Sequence, residues 1–209
     1  MQKGLFITIE GPDGAGKTTQ LHKLAEWLTK QGRQVICTRE PGGTAIGDKI
    51  RVLLLDNGNA EMAPRTEALL YMAARSQHVA ELIRPALADG KVVLSDRYSD
   101  STLVYQGVAR QLSSKELIQV NQFATAGLKP DLTILLDGET TPLLERLHSR
   151  GAKDRMESET IEFHEKVRDG FLELAASEPE RFRVVNGSGD IDTVQAAIRC
   201  CVLEFNSGR

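Results

Sequence analysis

The chain has 209 residues, 41% of them hydrophobic and 26% charged, with a net charge of −3. That composition suits a globular protein with a sizeable core and excludes a disordered chain. It also lacks the basic excess expected of a protein that holds long nucleic-acid strands.

Residues 5–10, LFITIE, read as a short apolar strand that runs directly into a glycine turn, so the N-terminus is a strand rather than a signal peptide. Residues 18–30 carry Leu21, Leu24, Ala25 and Leu28 at a helical period, and Gln31 and Gly32 end that helix. Residues 34–38, QVICT, are a second strand followed by the loop REPGGT. Residues 46–55 and most of 61–87 are expected to be helical, with Pro85 marking a kink or an early end. VVLS at 92–95 is a buried-type strand, and Ser113 with Glu116 opens the next helix as a capping box. DLTILLD at 131–137 is a fourth strand, after which Thr141 is expected to cap a helix with Pro142 at its first position. Residues 161–176 place Val167, Phe171 and Leu174 on one helical face. A fifth strand at 182–185 and a helix at 192–205 close the chain.

Strands that alternate with helices predict an α/β fold, with one five-stranded parallel sheet covered on both faces. No repeat or linker interrupts it, so residues 1–209 are expected to be one domain. No apolar run approaches the roughly 18 residues of a membrane span. Cys37, Cys200 and Cys201 form neither a disulfide framework nor a zinc motif, which fits a reducing, cytoplasmic setting.

Gly11, Pro12, Asp13, Gly14, Ala15, Gly16, Lys17 and Thr18 match the phosphate-binding pattern G-x-x-x-x-G-K-S/T, with a strand before and a helix after. Its glycines let successive backbone N–H groups face one anion, and the helix adds its positive end. Lys17 is placed for the β- and γ-phosphates, and Thr18 offers a hydroxyl to Mg²⁺. Asp13 is an anion inside that cradle and would be repelled by a polyphosphate. It is either a solvated loop residue or a contact to a second substrate.

Asp96 and Arg97 end the third strand, at the sheet edge where such folds bind ligands. The acid suits Mg²⁺ and the guanidinium suits a phosphate; the alternative is a pair that only fastens its loop. Arg39 and Glu40 end the second strand at the same edge. Tyr71 and Arg75 lie one helical turn apart and can bracket a base, an arrangement equally at home on an ordinary surface helix. Arg150, Lys153 and Arg155 crowd a short polar connection at about 148–158. A charge run is often only a solvated face, but a mobile basic lid would neutralise a transferring phosphoryl group.

EGPDGAGKTTQ, TREPGGT, AARSQH, SDRYSDSTLVYQG and PDLTILLD, in that order, resemble the thymidylate kinase family over most of the chain. The resemblance implies a P-loop NTPase fold and transfer of the γ-phosphoryl of ATP to dTMP with Mg²⁺. It implies a donor site of Gly11, Pro12, Asp13, Gly14, Ala15, Gly16, Lys17, Thr18 and Thr19, with Arg150 from the lid. It places Asp13 at the acceptor sugar, Arg39 and Arg97 at the dTMP phosphate, and Glu40, Asp96 and Thr18 near the metal. Tyr71 would stack on the base, Arg75, Thr102 and Gln106 would surround it, and Tyr105 would lie against the sugar. Gly14 stands where one branch of the family carries a catalytic arginine, so the lid residues Arg150 and Arg155, with Lys17 and Arg97, become the expected catalytic cations. The family's usual state implies a homodimer.

Other readings are another nucleoside monophosphate kinase, a deoxynucleoside kinase, or a nucleotide switch. A guanine-reading N-K-x-D motif is absent from the sequence.

Overall fold

The computed structural model describes residues 3–149 and 154–207. Five parallel strands form one sheet: β1 (Leu5–Glu10), β2 (Val35–Arg39), β3 (Val92–Asp96), β4 (Leu132–Asp137) and β5 (Phe182–Asn186), in spatial order β2-β3-β1-β4-β5. Every residue of β1 is buried, as the central strand of a sheet covered on both faces must be. The register sets Arg39 beside Asp96 and Asp96 beside Ile9, so the ends of β2, β3 and β1 meet in one row.

Successive side chains along a strand point to opposite faces. Leu5, Ile7 and Ile9 pack with Leu94 and Ile134 under α1 (Lys17–Lys30) and α9 (Ile191–Ser207), where Leu21, Leu24, Ile198 and Val202 meet them. Phe6 and Val93 point the other way, onto Val79, Ile83 and Tyr98. Leu135 and Phe182 do the same with Val167 and Phe171 of α8 (Ile161–Ser177). The buried Thr8 and Thr133 hydroxyls pair with each other across β1 and β4 at 2.9 Å.

The five expected strands are all present, and three helical details differ. Pro85 does not stop its helix. The chain runs as α3 (Pro64–His78), a π-helical turn (Val79–Ile83) and α4 (Arg84–Ala88). The wider turn lies immediately before the proline, which has no N–H to give and whose ring crowds an ordinary preceding turn. Pro142 stands third, not first, in α7 (Thr140–His148), because Glu139 rather than Thr141 occupies the capping position. Residues 99–109, unassigned from sequence, are helical as α5 (Ser99–Thr102) and a longer π-helical turn (Leu103–Ala109). β-branched Thr102 and Val104 and the interior Gly107 weaken its helical signal. α2 (Ala45–Leu55) and α6 (Ser114–Thr125) complete the described helices that flank the site. Thr44 caps α2 by accepting from Gly47 N, and Ser113 caps α6 by accepting from Glu116 N.

Candidate active site

The turn from Gly11 to Gly16 connects the middle of the sheet to α1. Gly11, Gly14 and Gly16 hold φ values of 140°, 81° and 85°, a region that L side chains avoid. A Cβ on Gly14 would also press on the carbonyl oxygen of Leu143 in α7. The turn therefore has no room for a side chain at 14, and the helix that leads toward the lid rests directly on it. Ala15 packs into the core, while Asp13, Gly14, Gly16, Lys17, Thr18 and Thr19 line a cleft of about 240 Å³. Lys17 Nζ donates to the carbonyls of Gly11 and Pro12 at 3.0 and 2.7 Å. Burial and the nearby Arg97 push its pKa down to about 8, against Asp13, Asp96 and Glu10, which favour the charged form.

The acceptor side is built from β3 and the helical segment that follows. Arg97 has φ 70°, and its Nη2 donates to Asp13 Oδ1 at 2.5 Å and to the Tyr105 hydroxyl at 2.9 Å. Tyr105 in turn donates to Asp13 Oδ2 at 2.8 Å. Burial alone would raise the Asp13 pKa, but Arg97, Lys17 and the Tyr105 hydroxyl outweigh it and hold the carboxyl well below the usual range. Glu10 fastens this loop from below: Oε1 accepts from Tyr98 N at 2.7 Å and Oε2 from Ser101 Oγ at 2.6 Å. Arg97 Nη1 reaches the same Ser101 hydroxyl at 3.0 Å. Burial and Asp100 push the Glu10 carboxyl up to about 7, although Arg97, Ser101 and the Tyr98 backbone pull it down. Glu10 carried no signal in the sequence beyond being an acid in an apolar strand.

Thr18 Oγ1 and Asp96 Oδ2 are 2.5 Å apart, beside the start of α1. A hydroxyl and a carboxylate at the phosphate cradle are a hard-oxygen pair of the kind Mg²⁺ takes when substrate phosphates and water complete its shell. Groups of three or more acidic, histidine or cysteine side chains fit to hold a metal are absent among the described residues. Glu40, expected near the metal, lines the same cleft. Its Oε1 meets His78 Nδ1 at 3.0 Å and its Oε2 accepts from Arg75 Nε at 2.7 Å, so both oxygens are used in a buried network.

Arg75, expected to surround a base, lies buried next to Glu40. It is 1% exposed, and its nitrogens donate to Glu40, Asn121 Oδ1 and the Tyr98 carbonyl. Buried guanidinium is stable only with such partners, and Glu40 is the nearest carboxylate that serves. Tyr71, Thr102, Tyr105 and Gln106 do line the cleft, and so does the exposed Arg39. Arg51 of α2 joins them, donating to the Pro41 carbonyl at 3.0 Å. It was missed because a single arginine in a helix resembles any surface residue.

Arg150 and Lys153 lie outside the described residues. Arg155 is buried rather than free: Nε donates to the Leu54 carbonyl at 2.8 Å and Nη1 pairs with Glu67 at 2.6 Å. The expected lid cation is thus held by a carbonyl and a carboxylate, while its Nη2 has no hydrogen-bond partner among the described residues. Asp154, Met156 and Glu157 nevertheless line the cleft. A second hollow opens across the sheet edge between Asp137, Gly138, Arg146, Arg168, Asn186 and Ser188. Arg168 there is bidentate to Asp137 at 2.8 and 3.0 Å.

The family model "Thymidylate kinase" matches residues 9–198. A thymidylate kinase of Geotalea uraniireducens is 52% identical over 206 residues, covering 96% of this chain and 97% of the relative. One from Bifidobacterium longum is 51% identical over 205 residues, covering 97% and 98%. The crystal structure of thymidylate kinase from Ehrlichia chaffeensis superposes with a TM-score of 0.76 at 32% identity, covering 96% of this chain and 99% of that one.

Proposed function

The chain belongs to the thymidylate kinase family and transfers the γ-phosphoryl of ATP to dTMP, giving dTDP and ADP; on that premise we propose how its residues divide the work. The single observation that carries the division is the Asp13–Arg97–Tyr105 cluster, which joins the phosphate turn to the acceptor side of one cleft. ATP lies with its phosphates along residues 11–19, and its adenine enters the second hollow near Arg146, Asn186 and Ser188. dTMP lies against Tyr71, Thr102, Tyr105 and Gln106, with its phosphate toward Arg97, Arg39 and Arg51.

The acceptor is already an ionised phosphate, so its oxygen attacks the γ-phosphorus directly and no strong general base is needed. ADP departs on the opposite side as the bond to its β-phosphate oxygen breaks. Two anions must approach each other, and alignment with charge neutralisation supplies the rate. Lys17, now resting on the carbonyls of Gly11 and Pro12, turns to the donor phosphates. Thr18 and Asp96 would hold Mg²⁺ beside the donor phosphates, where the ion would supply positive charge. Arg97 exchanges Asp13 for the acceptor phosphate, which frees the Asp13 carboxylate to accept from the sugar hydroxyl. Arg150 supplies lid charge to the transferring group. We assign Arg155 to anchoring the 154–157 segment, and Arg75 with Glu40 to holding the wall behind the base.

The same premise supports a homodimer of single-domain chains. Val52 and Leu53 of α2, Leu69 of α3, and Ile118 and Phe123 of α6 are all exposed on helices that pack side by side. Among the described residues no helix is long and apolar enough to cross a membrane, and Cys37, Cys200 and Cys201 are free thiols, which supports a cytoplasmic enzyme.

An acceptor panel with ATP tests the assignment. dTMP is expected to be phosphorylated far faster than dCMP, dGMP or thymidine. Turnover of dTMP no better than those acceptors removes the assignment, and ATP hydrolysis without a phosphorylated acceptor points to a switch.

A further inference from the structure

Glu67 is a fully buried carboxylate to which phosphoryl transfer gives no task. It lies in α3 one turn before Tyr71 and is 0% exposed. Gln106 Nε2 donates to its Oε1 at 2.8 Å. Arg110 donates to the same carboxylate at 3.3 and 3.2 Å, and Arg155 pairs with it at 2.6 Å. Burial alone would raise its pKa, but the bonds from Gln106 and Arg110, the Arg110 charge and the Arg155 bond outweigh that, and the shift is downward. Glu67 is therefore ionised, and an ionised carboxylate only accepts hydrogen bonds.

The Gln106 amide that meets it must present its NH₂. A flipped amide would set oxygen against oxygen in a buried place. Gln106 also lines the cleft, so its oxygen is left as the amide's acceptor for a ligand. Thr102, one turn earlier on the same segment, lines the cleft too. It is 1% exposed, and its Oγ1 has no hydrogen-bond partner among the described residues, as expected of a group that waits for a ligand.

We infer that Glu67 is a specificity-determining positioning residue: by holding the Gln106 amide in one orientation it makes the cleft present a carbonyl acceptor, which selects the N3–H of thymine over the bare N3 of cytosine. This rests on the reading that Gln106 faces the base. Thymine N3 is a donor between two carbonyls, whereas cytosine N3 is an acceptor. Against cytosine two acceptors would face each other in a dry site, which a pocket built for hydrogen bonding rejects strongly. A freely turning Gln106 would serve both bases. The Thr102 hydroxyl does turn freely, so it binds a base edge without choosing between them.

The test compares kcat/KM for dTMP, dCMP and dUMP in the wild type, Gln106→Met and Glu67→Gln. dUMP shares the N3–H and serves as the internal control. Glu67→Gln, whose amide offers Gln106 either face, is expected to lower the dTMP-to-dCMP ratio roughly tenfold or more while the dTMP-to-dUMP ratio holds. An unchanged dTMP-to-dCMP ratio, or an equal fall in both ratios, overturns the inference. If Gln106→Met leaves the dTMP KM unchanged, the reading that Gln106 faces the base fails and takes the inference with it. If Gln106→Met raises that KM while Glu67→Gln keeps full selectivity, only the role of Glu67 falls. Should Glu67→Gln not fold, the wild-type Gln106 side-chain amide protons, assigned by their loss in Gln106→Met, decide the matter by NMR. One is expected to exchange slowly both without and with dTMP, and fast exchange in either state overturns the inference.

Discussion

Arg97 and Asp13 face each other at 2.5 Å across 84 positions of sequence, and each is the other's counter-charge. One belongs to the donor turn and the other to the acceptor loop. The pair therefore links the two sides, and on the proposed reading a phosphate and a sugar hydroxyl would replace its two halves. Tyr105 touches both and keeps the replacement local.

Replacement of that guanidinium should separate the two substrates. Arg97→Ala is expected to raise the dTMP KM roughly ten- to hundredfold, the value of a charge-assisted phosphate contact. The ATP KM should change little. Steady-state kinetics with each substrate varied in turn checks this, and an equal loss of both affinities would remove Arg97 from the acceptor side.

With no arginine in the phosphate turn and Arg155 tied to Glu67, Arg150 and Lys153 are the other lid cations, and Arg150 is the one proposed to meet the transferring group. Arg150→Ala is expected to lower kcat at least about a hundredfold. ATP binding, measured directly by calorimetry, should stay within a few-fold of wild type. An unchanged kcat would move the search for that charge to Lys153.

Glu10 makes folding depend on pH in an unusual direction for a carboxylate. Its pKa of about 7 in the fold lies above the ordinary value of 4.5, so between those pH values the folded state binds more protons than the unfolded one. Stability from this group is complete below about pH 4.5 and is lost as pH rises through 7. Glu10→Gln removes that titration, while the change in hydrogen bonding adds a constant offset. The variant should therefore gain on wild type by roughly 2–3 kcal/mol between pH 5 and pH 8. Denaturant unfolding across that range measures it, and a pH-independent difference would refute the shift.

Phe123 is 88% exposed on α6, and Leu69 of α3 and Val52 and Leu53 of α2 are exposed as well. Exposed apolar side chains on helices that pack in the order α2, α3, α6 are an interface signal. If the proposed homodimer forms through these helices, Phe123→Asp should sediment as a monomer without losing helical content. Identical sedimentation of variant and wild type would place the interface elsewhere.

Much of this molecule was legible along the chain because its signals are local. The five strands announce themselves as short apolar runs between helical periods. The phosphate turn needs three glycines at positions whose φ only glycine takes readily, and that demand is written at fixed spacing. The helical segment at 99–109 was not legible, because its propensity is weak and packing of Val104 and Tyr105 against Phe163, Val167 and Phe171 holds it in place. Pro85 marked a change in the helix rather than its end: a π-helical turn precedes it, and the chain stays helical to Ala88.

From the sequence alone came the fold class, the phosphate cradle and the row of charged residues at the strand ends, since each follows from periodicity or spacing within one segment. Only the tertiary structure decided which charges are free. Arg39, Arg75, Arg97 and Arg155 look alike as letters. Burial then commits Arg75 to Glu40 and Arg155 to Glu67, pairs Arg97 with Asp13, and leaves Arg39 exposed at the mouth. A buried ion must take the partner that the fold brings near, and that partner is often far away in sequence.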